Sequence, residues 1–216
     1  MPRYNAPAIS AALSESGIDV RLWQSTEPPV FFSSALQAEE QTALTRFRSA
    51  KRQREWATVR YLLHHEFHIA SPIVYAPNGR PYLSSDEQRE IGISHTADIV
   101  CLAIAPHRFG IDIEQRTPRA LRISRAFLSP TELALLNAKP EEERERWATA
   151  MWSAKEAVYK CVSDQNLSLT HGITIESISP TPNPIEARME VTTTASPTPK
   201  PIHCFFEPSF VLTVAQ

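Results

Sequence analysis

The stretch Phe109-Gly110-Ile111-Asp112-Ile113-Glu114-Gln115 sets a carboxylate on every second residue of an otherwise apolar run. Alternate side chains of a strand share a face, so Asp112 and Glu114 would stand together about 7 Å apart, with Ile111 and Ile113 facing the other way. Two such charges repel unless water or a cation lies between them. An amphipathic strand end with its acids in water gives the same pattern. A second stretch bears on the choice. In MWSAKEAVYK, residues 151–160, helical spacing puts Trp152, Lys155, Glu156, Tyr159 and Lys160 within an arc of roughly 140°. Ala150, Ala154, Ala157, Val158 and Cys161 fall opposite, and small residues there let the helix pack closely. The bland alternative is an ordinary i,i+4 surface pair of Glu156 with Lys160. Together, Asp112, Glu114 and Glu156 make a three-oxygen set suited to a hard divalent cation that keeps several waters and accepts phosphate oxygens, a description of magnesium.

Something must hold those phosphates. The chain has only five glycines and neither a GxGxxG nor a GxxxxGK[ST] pattern, so backbone amides offer no cradle and side chains must serve. Lys155, Lys160, His95, Arg80 and a basic segment are the candidates. That segment, residues 36–69, reads as one helix, with Leu44, Phe47, Trp56, Val59, Leu62, Leu63 and Phe67 at helical spacing among Arg46, Arg48, Lys51, Arg52, Arg54 and Arg60. A solvated face would carry the same charge run. Asn78-Gly79 and Pro81 mark a turn presenting Arg80. Residues 91–106 read as two strands around a polar turn, with Ser94 and His95 at the end of the first.

Residues 117–138 and 141–162 are helical runs, with a helix start at Ser129-Pro130-Thr131-Glu132. Strands follow from residue 172, and six prolines between Pro180 and Pro201 are expected to mark mobile connections. A weak repeat, ISHTADIVCLAIA at 93–105 against HCFFEPSFVLTVA at 203–215, suggests two similar halves, 1–107 and 108–216, with the active site in the cleft between them. The expected class is α+β.

A length of 216 residues with 42% hydrophobic content supports a packed core, and a net charge of −2 argues against non-specific nucleic-acid binding. Cys101, Cys161 and Cys204 lack metal-ligand spacing and read as reduced thiols of a cytoplasmic protein. No targeting signal or membrane span is expected.

GIDIE (110–114), WSAKEAVYK (152–160), ISH (93–95), NGRPYL (78–83) and REWATVR (54–60), in combination, resemble the 4′-phosphopantetheinyl transferases, in size the larger, monomeric class with two pseudo-symmetric halves. Residues after 160 fit only by strand pattern. The resemblance implies transfer of the phosphopantetheine arm of coenzyme A to a serine of an acyl or peptidyl carrier protein. Adenosine 3′,5′-bisphosphate would be released. It further implies Asp112, Glu114 and Glu156 as ligands of Mg2+, with Mn2+ an alternative, Glu156 as the base and Lys160 at the leaving group. Ser94, His95, Lys155, Gly79 and Arg80 would contact the nucleotide and phosphates, and Arg54 the 3′-phosphate. Gly92 stands where relatives commonly carry asparagine. For an acidic carrier, the docking surface is expected at Arg116, Arg119, Arg122 and Arg125, with Leu121, Ile123 and Phe127 as apolar anchors. Two rival readings remain: a magnesium-dependent phosphodiester or pyrophosphate hydrolase, and a non-catalytic module binding coenzyme A or carrier.

Overall fold

In the computed structural model, which describes residues 4–216, the chain divides into two units. One comprises residues up to Ala76 with Pro81–His107, the other Pro77–Arg80 with Arg108–Gln216. Mixed helix and sheet place it in the α+β class.

The first unit runs α1 (Pro7–Glu15), β1 (Asp19–Gln24), a 3-10 turn (Pro29–Ala35), α2 (Ala38–Leu44), α3 (Ala50–Tyr61) and a π-helical turn (Leu62–Glu66). The hairpins β2 (Ile73–Tyr75) with β3 (Pro81–Leu83) and β4 (Glu90–Thr96) with β5 (Ile99–Ala105) follow. The antiparallel sheet has the order β1-β5-β4, and central β5 is buried along its whole length. Trp23, Phe32, Leu62, Leu63 and Leu102 pack the core. The expected two strands around a polar turn at 91–106 are β4 and β5.

The single helix expected over 36–69 is instead broken. Ser49 caps α3 by accepting a hydrogen bond from the Arg52 amide at 3.4 Å, and Glu40 reaches back to the Gln37 amide at 3.0 Å to open α2. The apolar spacing continues through residues 45–49, but local polar caps end one helix and begin another.

The second unit begins with β6 (Gly110–Gln115) and continues through short α4 (Arg119–Arg122), α5 (Ser124–Phe127) and α6 (Pro130–Asn137) to α7 (Arg144–Val162). Strands β7 (Ile173–Pro180), β8 (Glu186–Thr193), β9 (Ser196–Phe206) and β10 (Phe210–Ala215) complete an antiparallel sheet in the order β6-β10-β9-β8-β7. Helix α7 packs on β6 and β10. The order β6-β10-β9 repeats β1-β5-β4, a strand and then the two arms of a hairpin with the second arm central.

Two sequence expectations change here. The run 117–138 yields three short helices, the last opening where expected with a reciprocal Ser129–Glu132 capping box. The prolines mostly sit in strands: only Pro182 and Pro184 lie in a connection. Pro197, Pro199 and Pro201 lie in the part of β9 that β10 leaves unpaired, since β10 pairs only from Ile202 onward, and the β8–β9 register shifts between Ser196 and Lys200. An open edge and a shifted register are where a strand tolerates proline. Among the described residues no helix is long and apolar enough to cross a membrane.

Candidate active site

Gly110 decides how closely α7 can lie on β6. A Cβ there would stand 2.0 Å from the Ala157 carbonyl oxygen and 2.6 Å from the Cys161 nitrogen, so only glycine permits this approach. The contact brings the polar residues of α7 over the acids of β6. Asp112, 4% exposed, accepts from Lys160 Nζ at 2.6 Å through one oxygen and from Ser153 Oγ at 2.8 Å through the other. Glu114 accepts from Trp152 Nε1 at 2.9 Å. Glu156 lies one turn beyond Trp152, near enough to feel the charges of Asp112, Lys160 and Glu114.

Electrostatics in this cluster are strained. Burial pushes the Glu156 carboxyl above its ordinary range, repulsion from Asp112 and Glu114 adds to the rise, and Lys160 only partly opposes it. Burial and Asp112 likewise raise Glu114, against the Trp152 hydrogen bond, Lys160 and Arg119. Among the described residues, no three His, Cys, Asp or Glu side chains already stand as a ready ligand set. The donor chemistry nevertheless fits a hard divalent ion. Asp112 and Glu114 lie on one strand, Glu156 on α7 is near enough to feel both charges, and the protein's own cations leave Glu114 and Glu156 above their ordinary range.

The far end of α7 is held by backbone capping. Arg108 donates to the carbonyls of Cys161 at 2.5 Å and Val162 at 2.7 Å, and Asn78 Nδ2 donates to the Ser163 carbonyl at 3.1 Å. Ser163 itself is left-handed, φ 56°, and ends the helix. The turn with Gly79, φ +83°, and Arg80 thus belongs to the unit that carries the acids.

A family model described as "4′-phosphopantetheinyl transferase superfamily" matches residues 108–214. By those residues the chain belongs to that superfamily. It is 33% identical over 82 residues to the 4′-phosphopantetheinyl transferase of Bacillus subtilis, covering 38% of this chain and 37% of the relative. To the 4′-phosphopantetheinyl transferase psf-1 of Bacillus pumilus it is 32% identical over 105 residues, 47% of this chain and 45% of the relative. A putative 4′-phosphopantetheinyl transferase of Synechocystis is 26% identical over 91 residues, 40% of this chain and 37% of the relative. The matched regions span less than half of each relative's length.

The superfamily segment thus contains Asp112, Glu114, Glu156 and Lys160 in one cluster. Lys155 is elsewhere. Its side chain is 0% exposed, and Nζ donates to Glu132 and to the carbonyls of Phe127, Leu169 and Ile173 at 2.8–2.9 Å. The expected phosphate contact by Lys155 does not fit this placement, because the helical wheel puts it at the edge of the polar arc and Glu132 draws it inward. Phe127 is also corrected as a docking anchor: it is buried against Trp152, ring centroids 5.1 Å apart. Arg119, Arg122, Arg125 and Ile123 are exposed.

Ser94 and His95 lie on β4 of the first unit, with Ser94 buried. The guanidinium nearest His95 is not Arg54, which pairs with Asp98 at 3.5 Å, but Arg52, which donates to Nε2 at 2.9 Å. An imidazole nitrogen that accepts leaves its other nitrogen to carry the proton, and Nδ1 faces Glu55 at 3.4 Å. Glu55, buried beneath Lys51 and Arg52, therefore gathers three basic groups. Sequence reading passed over Glu55, Arg52's specific role and Ser153. The i,i+3 and i,i+4 spacing of Glu55 from Arg52 and Lys51 was the available signal.

Proposed function

We propose that the protein transfers the 4′-phosphopantetheine arm of coenzyme A to a serine of an acyl or peptidyl carrier protein. The observation that carries this reading is the gathering of Asp112, Glu114 and Glu156 around Lys160 where α7 meets β6, inside the segment matched to the superfamily. These three carboxylates would hold Mg2+, which when bound supplies charge stabilisation to a pyrophosphate. Glu156, its carboxyl pushed up by burial, is suited to take the proton of the attacking serine hydroxyl. The serine oxygen bonds to phosphorus, the pyrophosphate P–O bond breaks, and adenosine 3′,5′-bisphosphate leaves. Lys160, bonded to Asp112, is placed to neutralise the charge that develops there. The turn with Arg80, in the unit that carries the acids, is a proposed contact for the nucleotide phosphates.

The exposed arginines 119, 122 and 125, with Ile123 among them, suit an acidic carrier helix. The reading also expects a cytoplasmic monomer.

The test is intact-mass analysis of an apo carrier protein incubated with coenzyme A, magnesium and this protein. Gain of one phosphopantetheine group, lost with Glu156→Gln and on magnesium removal, is the expected outcome. Charge reversal at Arg119 and Arg122 should raise KM for the carrier. Coenzyme A consumed without any carrier would replace the reading with hydrolysis, and coenzyme A bound but unchanged would leave a binding module.

A further inference from the structure

Beneath the acid cluster lies a polar chain that the proposed chemistry does not itself require. Thr213 on β10 is the cross-strand partner of Asp112 on β6, and Ser153 of α7 reaches down to both. The Ser153 hydroxyl stands 2.8 Å from Asp112 and 2.8 Å from Thr213 Oγ1. Ser153 and Thr213 are each 0% exposed. Buried hydroxyls are expensive to keep unless bonded, and alanine and valine would fill the same volumes without any polar demand.

The direction of the chain follows from counting protons. Ser153 has one hydroxyl hydrogen, and it goes to the Asp112 carboxylate. Its contact with Thr213 must then be one in which Ser153 accepts, so the order is Thr213 to Ser153 to Asp112. The second oxygen of Asp112 is thereby fixed on the side of Lys160. A short carboxylate on a strand has few rotamers, and a hydrogen bond on one oxygen aims the other.

We infer that Ser153 and Thr213 are positioning residues, a relay that aims Asp112 so that its other oxygen, which accepts from Lys160, can also meet a divalent cation. The inference rests on the proposed metal-holding role of Asp112, Glu114 and Glu156. It predicts a dependence on the hydroxyl and not on side-chain volume. Thr213→Val keeps the volume and removes the hydroxyl, whereas Thr213→Ser keeps the hydroxyl and removes a methyl group.

The experiment titrates the full chain with Mn2+ and follows the ion by electron paramagnetic resonance, without coenzyme A or carrier. Ser153→Ala should weaken Mn2+ binding by about tenfold or more, the usual scale for losing a group that orients a metal ligand. Thr213→Val should weaken it less, and Thr213→Ser should bind as the unsubstituted protein does. A purely structural pair would lower the stability of these variants without changing the Mn2+ affinity of the folded protein. If the unsubstituted protein binds Mn2+ and both Ser153→Ala and Thr213→Val bind it equally well, the relay is refuted while the cation site stands. No binding by the unsubstituted protein overturns both. Should Ser153→Ala fail to fold, the two Thr213 variants decide the question.

Discussion

Helix α7, which carries Glu156 and Lys160, and helix α3, which carries Arg52 and Glu55, are each tethered by a buried ion pair, but the tethers differ in chemistry. Lys155 and Glu132 hold α7 and are both 0% exposed. Glu40 meets the turn after α3 through His64 at 3.0 Å and lies 3.9 Å from Arg60. The first tether joins an ammonium to a carboxylate, and burial pushes that ammonium down, against the bond to Glu132, from an ordinary value above neutral pH. The second includes an imidazole, the one side chain that titrates there unaided. The basic cluster therefore stands on a foundation that is sensitive to pH near neutrality.

The largest effect should come from breaking the first tether. Lys155 satisfies Glu132 and three backbone carbonyls at once, while Glu132 also accepts from the amides of Ser129 and Ile175. Lys155→Met leaves a buried carboxylate without its cation, so it should destabilise the protein by about 3–5 kcal/mol, read as a lower urea midpoint. A loss under about 1 kcal/mol would mean that Glu132 finds water or a proton at little cost. Gly110→Ala should follow. Its Cβ meets backbone and not a flexible side-chain tip, so α7 must lift from β6, at about 3 kcal/mol, the upper end for overpacking. In that variant the Lys160–Asp112 contact should also loosen, seen as weaker Mn2+ binding than the stability loss alone would give.

These two positions also show what the sequence could disclose. The acids of β6 were legible because a strand's period of two leaves little choice about which residues share a face. The helix of residues 151–160 was legible in outline, yet Lys155 was misread. A wheel records angle only, and a long side chain at the boundary goes where its partner is. That partner, Glu132, lies 23 residues away and was already recognisable as half of a capping box. The break at Ser49 was missed for a related reason: the apolar spacing runs through it, and only the serine's side-chain hydrogen bond ends the continuity. The prolines of β9 could be placed in a strand only once the edge that β10 leaves open was known.

The smallest effect concerns the second tether and its response to pH. His64 Nδ1 faces the Ile69 carbonyl at 2.7 Å and Nε2 faces Glu40, so both nitrogens meet acceptors and the doubly protonated ring satisfies both. The hydrogen bond to Glu40 raises the imidazole above its ordinary 6.5, despite the opposing effect of burial. For Glu40, burial acts upward, but the bonds from His64 and the Gln37 amide and the nearby positive charge outweigh it, leaving the carboxyl below 4.5. A raised histidine contributes its full stability below the unfolded value and loses it as pH climbs through the folded one. A lowered carboxyl contributes above its unfolded value and loses it as pH falls. The tether is therefore strongest between about pH 4.5 and 6.5 and weakens above that, by roughly the 1 kcal/mol of one hydrogen bond. Urea unfolding of the intact chain at pH 6 and pH 8.5 should show this decline, and His64→Gln should flatten it. An equal decline in that variant would place the sensitivity elsewhere.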